Sequence, residues 1–210
     1  MRINKIFSLL LGTAVLITSC DLLEPENDNH STFDRVYDDP SYAEGLLIKA
    51  YTYIPTNDYT WDDVATDDAV TNDKFNTYMR MATGEWSALY NPQSNWDNCN
   101  RAISYINQFL EIVDDIPWKS TSAEQNTLFI RRLKGEAYGM RGLMKYYLLR
   151  NQGGLSASGE LLGTPIYNEF LKSEADYTKP RAPFAESVAS AYADFDESLK
   201  YLPLDYGNLA

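Results

Sequence analysis

The densest grouping of side chains able to do chemistry lies between Thr56 and Asn95. Six aspartates and five asparagines interleave there with Tyr59, Trp61, Phe75, Tyr78, Trp86 and Tyr90. Flat aromatic rings stack on the axial C–H faces of sugar rings, and Asp, Asn and Arg side chains hydrogen-bond their hydroxyls. Residue type and position single out Trp61, Arg80, Trp86 and Tyr90 as candidate glycan contacts. The competing reading is that the aromatics fold this stretch onto the rest of the chain while the aspartates cap turns.

Other chemistries have little material. The one histidine, His30, sits in a polar stretch, so zinc binding and imidazole acid–base catalysis are not expected. The two cysteines, Cys20 and Cys99, make no disulfide framework. A glycosidase needs two carboxylates facing each other about 5 to 9 Å apart, and no motif singles out a pair. The aspartates from Asp58 to Asp73 offer oxygen ligands for Ca²⁺, but the EF-hand spacing and its sixth-position glycine are missing. No metal, no cofactor and no enzymatic activity are therefore expected. The net charge of −12 repels phosphate backbones and argues against nucleic acid.

The N-terminus carries an address. Arg2 and Lys5 precede an apolar run from Ile6 to Ile17, too short to span a bilayer and the right length for a signal peptide. It runs into Leu16-Ile17-Thr18-Ser19-Cys20, which resembles a bacterial lipobox: residues 1–19 are removed and the Cys20 thiol is acylated (palmitate among its chains). Loss of Arg2 and Lys5 takes the net charge to −14. Residues 20–40 read as an acidic tether, and 41–210 as the folded domain.

The elements that must position the loop are helices. Apolar residues at steps of three and four predict helices over 41–54, 94–116, 122–150 and 184–201. Their stripes are Ala43-Leu47-Ala50-Ile54, Trp96-Cys99-Ile103-Ile106-Leu110-Val113, Leu133-Ala137-Met140-Met144-Tyr147 and Val188-Tyr192-Phe195-Leu199-Leu202. Ser41 with Glu44, and Thr121 with Glu124, have capping-box spacing. No alternating β-branched run competes, so the fold is expected to be all-α, a TPR-like helical-repeat array. Two long loops, 55–93 and 151–183, interrupt it.

Three stretches then fit one family. They are Trp96 to Ile103 with Asn107 and Phe109-Leu110; Gly135-Glu136-Ala137 through Arg141 to Tyr147 and Gly153-Gly154; and Arg181 followed by Asp194-Phe195, Ser198 and Leu202-Pro203. With the lipobox, the chain resembles the SusD/RagB family of Bacteroidetes surface lipoproteins. The resemblance implies an outer-membrane protein that binds oligosaccharide and delivers it to a SusC-like TonB-dependent transporter. It also implies that the acidic residues after Cys20 direct the protein to the cell surface.

Gly139, Gly142 and Asn100 depart from the family pattern, and each glycine costs about 1 kcal/mol of helix propensity. Family chains run well beyond this length, so the chain is expected to be the N-terminal portion of a longer protein. Glu136 and Arg141 are expected to form a polar pair joining helices, and Cys99 to be a small core residue. The alternative function is a helical-repeat scaffold that binds only a transporter or peptide, without sugar affinity.

Overall fold

The computed structural model describes Tyr37, 39–55, 61–87, 90–118 and 122–203, without the side chains of Trp61, Glu174 and Ala175. The signal segment 1–19, Cys20, His30 and nearly all of the tether lie outside the described residues.

The described residues form helices α1 (Pro40–Tyr51), α2 (Thr77–Ala82), α3 (Trp96–Ile112), α4 (Ala123–Gln152) and α5 (Phe184–Tyr201). The fold is all-α and TPR-like, with one two-stranded antiparallel hairpin, β1 (Gly154–Leu155) and β2 (Leu161–Leu162), after α4. Among the described residues no helix is long and apolar enough to cross a membrane.

Helix starts differ from the expected caps by a residue or two. Asp39, not Ser41, caps α1: its carboxylate accepts from the Ser41 N–H, and Pro40 occupies N1, where its missing donor is harmless. Ser122, not Thr121, caps α4 by accepting from the Gln125 N–H.

The core is one apolar cluster shared by α1, α3 and α4. Leu46 and Leu47 of α1 and Cys99, Ile103, Ile106 and Phe109 of α3 join it. From α4 come Leu133, Ala137, Met140, Met144 and Leu148. The predicted stripes of the first three helices therefore face inward, apart from the half-buried Ile54, Leu110 and Tyr147 and the more exposed Trp96.

The last helix buries its apolar stripe only in part: Val188, Phe195 and Leu202 are half-buried. Its buried face is Ser187, Ala191, Asp194 and Ser198, while Tyr192 and Leu199 are 64% and 66% exposed. The reason lies on α4. Gly135, Gly139 and Gly142 form a small-residue strip, and α5 lies directly on it. A Cβ at Gly142 would stand 2.9 Å from the Phe195 ring, and one at Gly135 2.6 Å from Leu202 Cγ. Ser198 Oγ donates to the Gly135 carbonyl at 2.7 Å. The close approach selects small and hydrogen-bonding residues on α5. It also explains the two glycines that depart from the family pattern.

A buried polar hub completes this interface. Arg141 donates to Asp194 through Nε (3.0 Å) and Nη2 (2.5 Å), and Lys145 Nζ lies 2.6 Å from the same carboxylate. The expected Glu136–Arg141 pair does not form: five residues apart on a helix, the two side chains diverge by about 140°. Glu136 pairs instead with Arg132 and accepts from the Tyr51 hydroxyl at 3.3 Å. Burial pushes the Lys145 ammonium below its usual range, and the neighbouring Asp194 carboxylate opposes that shift.

The segment 163–179 is strapped over the hub. Asn107 Nδ2 donates to the carbonyls of Tyr167 and Glu169, Arg141 Nη1 to that of Asn168, and Lys145 Nζ to Asn168 Oδ1. What reads as a loop in sequence is thus pinned by side chains of α3 and α4.

Candidate functional site

The first long loop is not irregular throughout. A 3-10 turn, Trp61–Ala65, buries Val64 and packs against α2. Asn76 caps α2 by accepting from the N–H groups of Tyr78 and Met79. The loop is fastened to the far end of α4, where Asn151 Nδ2 donates to the Gln93 carbonyl (2.8 Å) and Gln152 Nε2 to Ser94 Oγ (3.0 Å). Tyr78 faces inward; burial raises its phenol above the ordinary range, Asp62 adds to this, and Arg150 opposes it.

The end of α2 positions the candidate residues. Gly84 takes the left-handed conformation (φ +93°), its N–H bonds the Met81 carbonyl, and the Glu85 N–H bonds the Arg80 carbonyl at 3.0 Å. These are the two hydrogen bonds of a Schellman motif, which brings the side chains of Arg80 and Glu85 together. A hydrophobic contact commonly sits there. Here it is an ion pair: Arg80 Nε donates to Glu85 Oε2 at 2.7 Å, and Nη2 lies 2.5 Å from the same oxygen.

The chain then doubles back. Ser87 and Tyr90 form an antiparallel bridge, with reciprocal hydrogen bonds of 3.1 and 3.0 Å. This return sets the Tyr90 ring under the Arg80 guanidinium, 4.3 Å from ring centroid to Cζ. The Tyr90 hydroxyl donates to the Thr77 carbonyl. Trp86, between the Schellman turn and the bridge, is 58% exposed.

The structure therefore joins two of the predicted residues, Arg80 and Tyr90, in direct contact, and sets Trp86 on the same turn with an open ring. Trp61 shares the subassembly through its backbone, and its side chain lies outside the described residues. Glu85 went unnoticed in the sequence. Its signal was there in Arg80-Met-Ala-Thr-Gly84-Glu85: a helix end, a glycine, and opposite charges at the two positions that the turn joins.

The described part of the arrangement is a solvent-exposed polar-aromatic surface. Among the described residues, concave space lies along the strap. One groove of about 560 Å³ runs beside Phe170, Lys172, Asp176 and Lys179. Another of about 440 Å³ is lined by Asn107, Tyr138, Arg141, Asn168 and Lys172. Arg80, Trp86 and Tyr90 line neither groove. Among the described residues, no three His, Cys, Asp or Glu side chains are placed to hold a metal.

Comparison with known proteins identifies the fold. The chain is similar to a SusD-like protein from Bacteroides fragilis (TM-score 0.66, 17% identity), covering 89% of this chain and 34% of that one. It is also similar to a SusD-like carbohydrate-binding protein from Bacteroides vulgatus (TM-score 0.58, 22% identity), covering 81% and 37%. The chain thus spans little more than a third of the length of these structures. No curated protein matches it. Residues 21–209 match a SusD-like family described as starch-binding and associating with the outer membrane. With nine-tenths of its length inside that match and the family's helical architecture around its core, the chain belongs to the SusD-like family.

Proposed function

We propose that the protein is an outer-membrane surface lipoprotein, anchored through acylated Cys20. It binds oligosaccharide at the loop carrying Trp61, Arg80, Trp86 and Tyr90 and delivers it to a SusC-like TonB-dependent transporter. It holds the glycan without cutting it. Support comes from the family's starch-binding description and from one local observation: the Arg80–Tyr90 stack, held by a Schellman turn and a tight bridge, with the exposed Trp86 in the chain between them. A platform built this way presents flat apolar area and hydrogen-bonding edges with little ordering left for the ligand to impose.

Calorimetry against a panel of neutral glycans tests the reading. At least one is expected to bind, and Trp86→Ala is expected to weaken it by about three- to tenfold, the loss of one stacking partner. Tyr138→Phe, in the groove under the strap, is expected to leave affinity unchanged. Binding that disappears with the groove variant and survives Trp86→Ala would move the site.

The scaffold reading keeps one observation of its own: the exposed Tyr192 and Leu199 on α5 suit a protein partner. Co-precipitation of the transporter with and without glycan separates the two. Capture by a protein that binds no glycan supports the scaffold.

A further inference from the structure

The Arg80 guanidinium is the one cation that the described structure ties to a candidate aromatic ring, and its charge is already answered. Glu85 Oε2 receives both Nε and Nη2, and the Schellman turn fixes the two residues at positions whose side chains must meet. The side chains are 43% and 51% exposed, so the pair faces solvent, where a ligand meets it. The Tyr90 ring covers one face of the guanidinium, and the Tyr90 hydroxyl is a further hydrogen-bond partner of Arg80.

The described chain around the pair is acidic overall: the five aspartates from Asp62 to Asp73 outnumber two cations, Lys74 and Arg150, the second of which acts on Tyr78 of α2. The turn on which α2 packs carries Asp62 and Asp63, followed by the exposed Asp67 and Asp68. A carboxylate or sulfate on a sugar would therefore have to displace Glu85 from a bond that the backbone enforces, inside a field of its own sign. A neutral sugar needs no such exchange: it stacks on exposed aromatic area, and its hydroxyls share the solvent-facing Arg80–Glu85 pair without breaking it.

We infer that Glu85 sets the charge selectivity of this site, keeping Arg80 as a neutralised platform that accepts uncharged glycans and turns away uronate- or sulfate-bearing ones. The inference rests on the proposed glycan site. It makes Glu85 a specificity-determining residue that acts through Arg80.

The test compares each neutral polysaccharide that binds with its own carboxymethylated derivative, by affinity electrophoresis and calorimetry at low ionic strength. Wild-type protein is expected to prefer the neutral form. Glu85→Gln is expected to raise the affinity for the carboxymethylated form relative to the neutral form by about two- to fivefold, the scale of an exposed charge pair. The gain is expected to shrink as salt is added. Arg80→Gln in the Glu85→Gln background is expected to abolish it.

Glu124→Gln changes net charge equally at the opposite end of α4, about 40 Å along that helix from the loop contact. It is expected to produce no gain. An equal gain from Glu124→Gln, no gain from Glu85→Gln, or equal wild-type affinity for both forms overturns the inference while leaving the glycan site standing. Absence of binding to any glycan overturns both.

Discussion

At the scale of single residues, polar side chains do different work in the hub and in the first loop. Arg141, Lys145 and Asp194 are buried and hydrogen-bonded on every side the strap and α5 present, whereas Arg80 and Glu85 are paired in solvent. Cys99 stands apart from both groups. It is fully buried in the α3 core face, and desolvation pushes its thiol up to about 11. The expected role as a small core residue accords with that position. Because the folded chain retains this proton and the unfolded chain releases it near 9, stability is expected to fall as pH rises from about 9 towards 11. In a Cys20→Ser background, a thiol reagent at neutral pH is expected to label Cys99 only after denaturant is added. Rapid labelling of native protein would contradict the burial.

At the scale of elements, the sequence pattern located helices well and their orientation unevenly. Apolar steps of three and four place α1, α3 and α4 to within a few residues because those helices face a hydrocarbon core. The same rule orients α5 only in part, with Phe195 and Leu202 of its stripe reaching α4. Its partner surface is a glycine strip, and shape there outweighs hydrophobicity, so Ser187, Ala191 and Ser198 go inward while Tyr192 and Leu199 stay out. Hydrophobic periodicity carries no information about how closely two backbones can approach.

The caps show a milder version, since Asp39 and Ser122 each sit near a rival of similar type. Paired glycine substitutions test the account. Gly45 in α1 has open space where a Cβ would go, so Gly45→Ala is expected to stabilise by about 0.5–1 kcal/mol. Gly142→Ala gains the same propensity but drives a methyl to 2.9 Å from Phe195, and is expected to destabilise by about 1–3 kcal/mol overall. Denaturant melts of both variants give the two signs directly.

At the scale of the whole molecule, the all-α architecture and the family were legible in the sequence, and the candidate site was legible in part. Trp86, Arg80 and Tyr90 could be named from residue type, but their relation could not. It depends on a left-handed glycine and a two-residue bridge that set the Tyr90 ring against the Arg80 guanidinium. Asp194 was visible as part of a family motif, yet its partner was misassigned to Glu136, because the true pairing, 53 positions away, follows from tertiary packing. Removing that carboxylate leaves two buried cations unanswered. Asp194→Asn is accordingly expected to cost about 3–5 kcal/mol, read as a shift in the midpoint of urea unfolding.

The same carboxylate ties together parts that are remote in the chain. The side chains holding Asp194 also grip Asn168, so the crossover from 163 to 179 and the final helix share one fastening. Neither can peel away alone without exposing bare charge to the interior. A protease acting on gently loosened protein should therefore nick both regions at the same urea concentration, as one cooperative flap rather than a frayed end followed by a frayed middle.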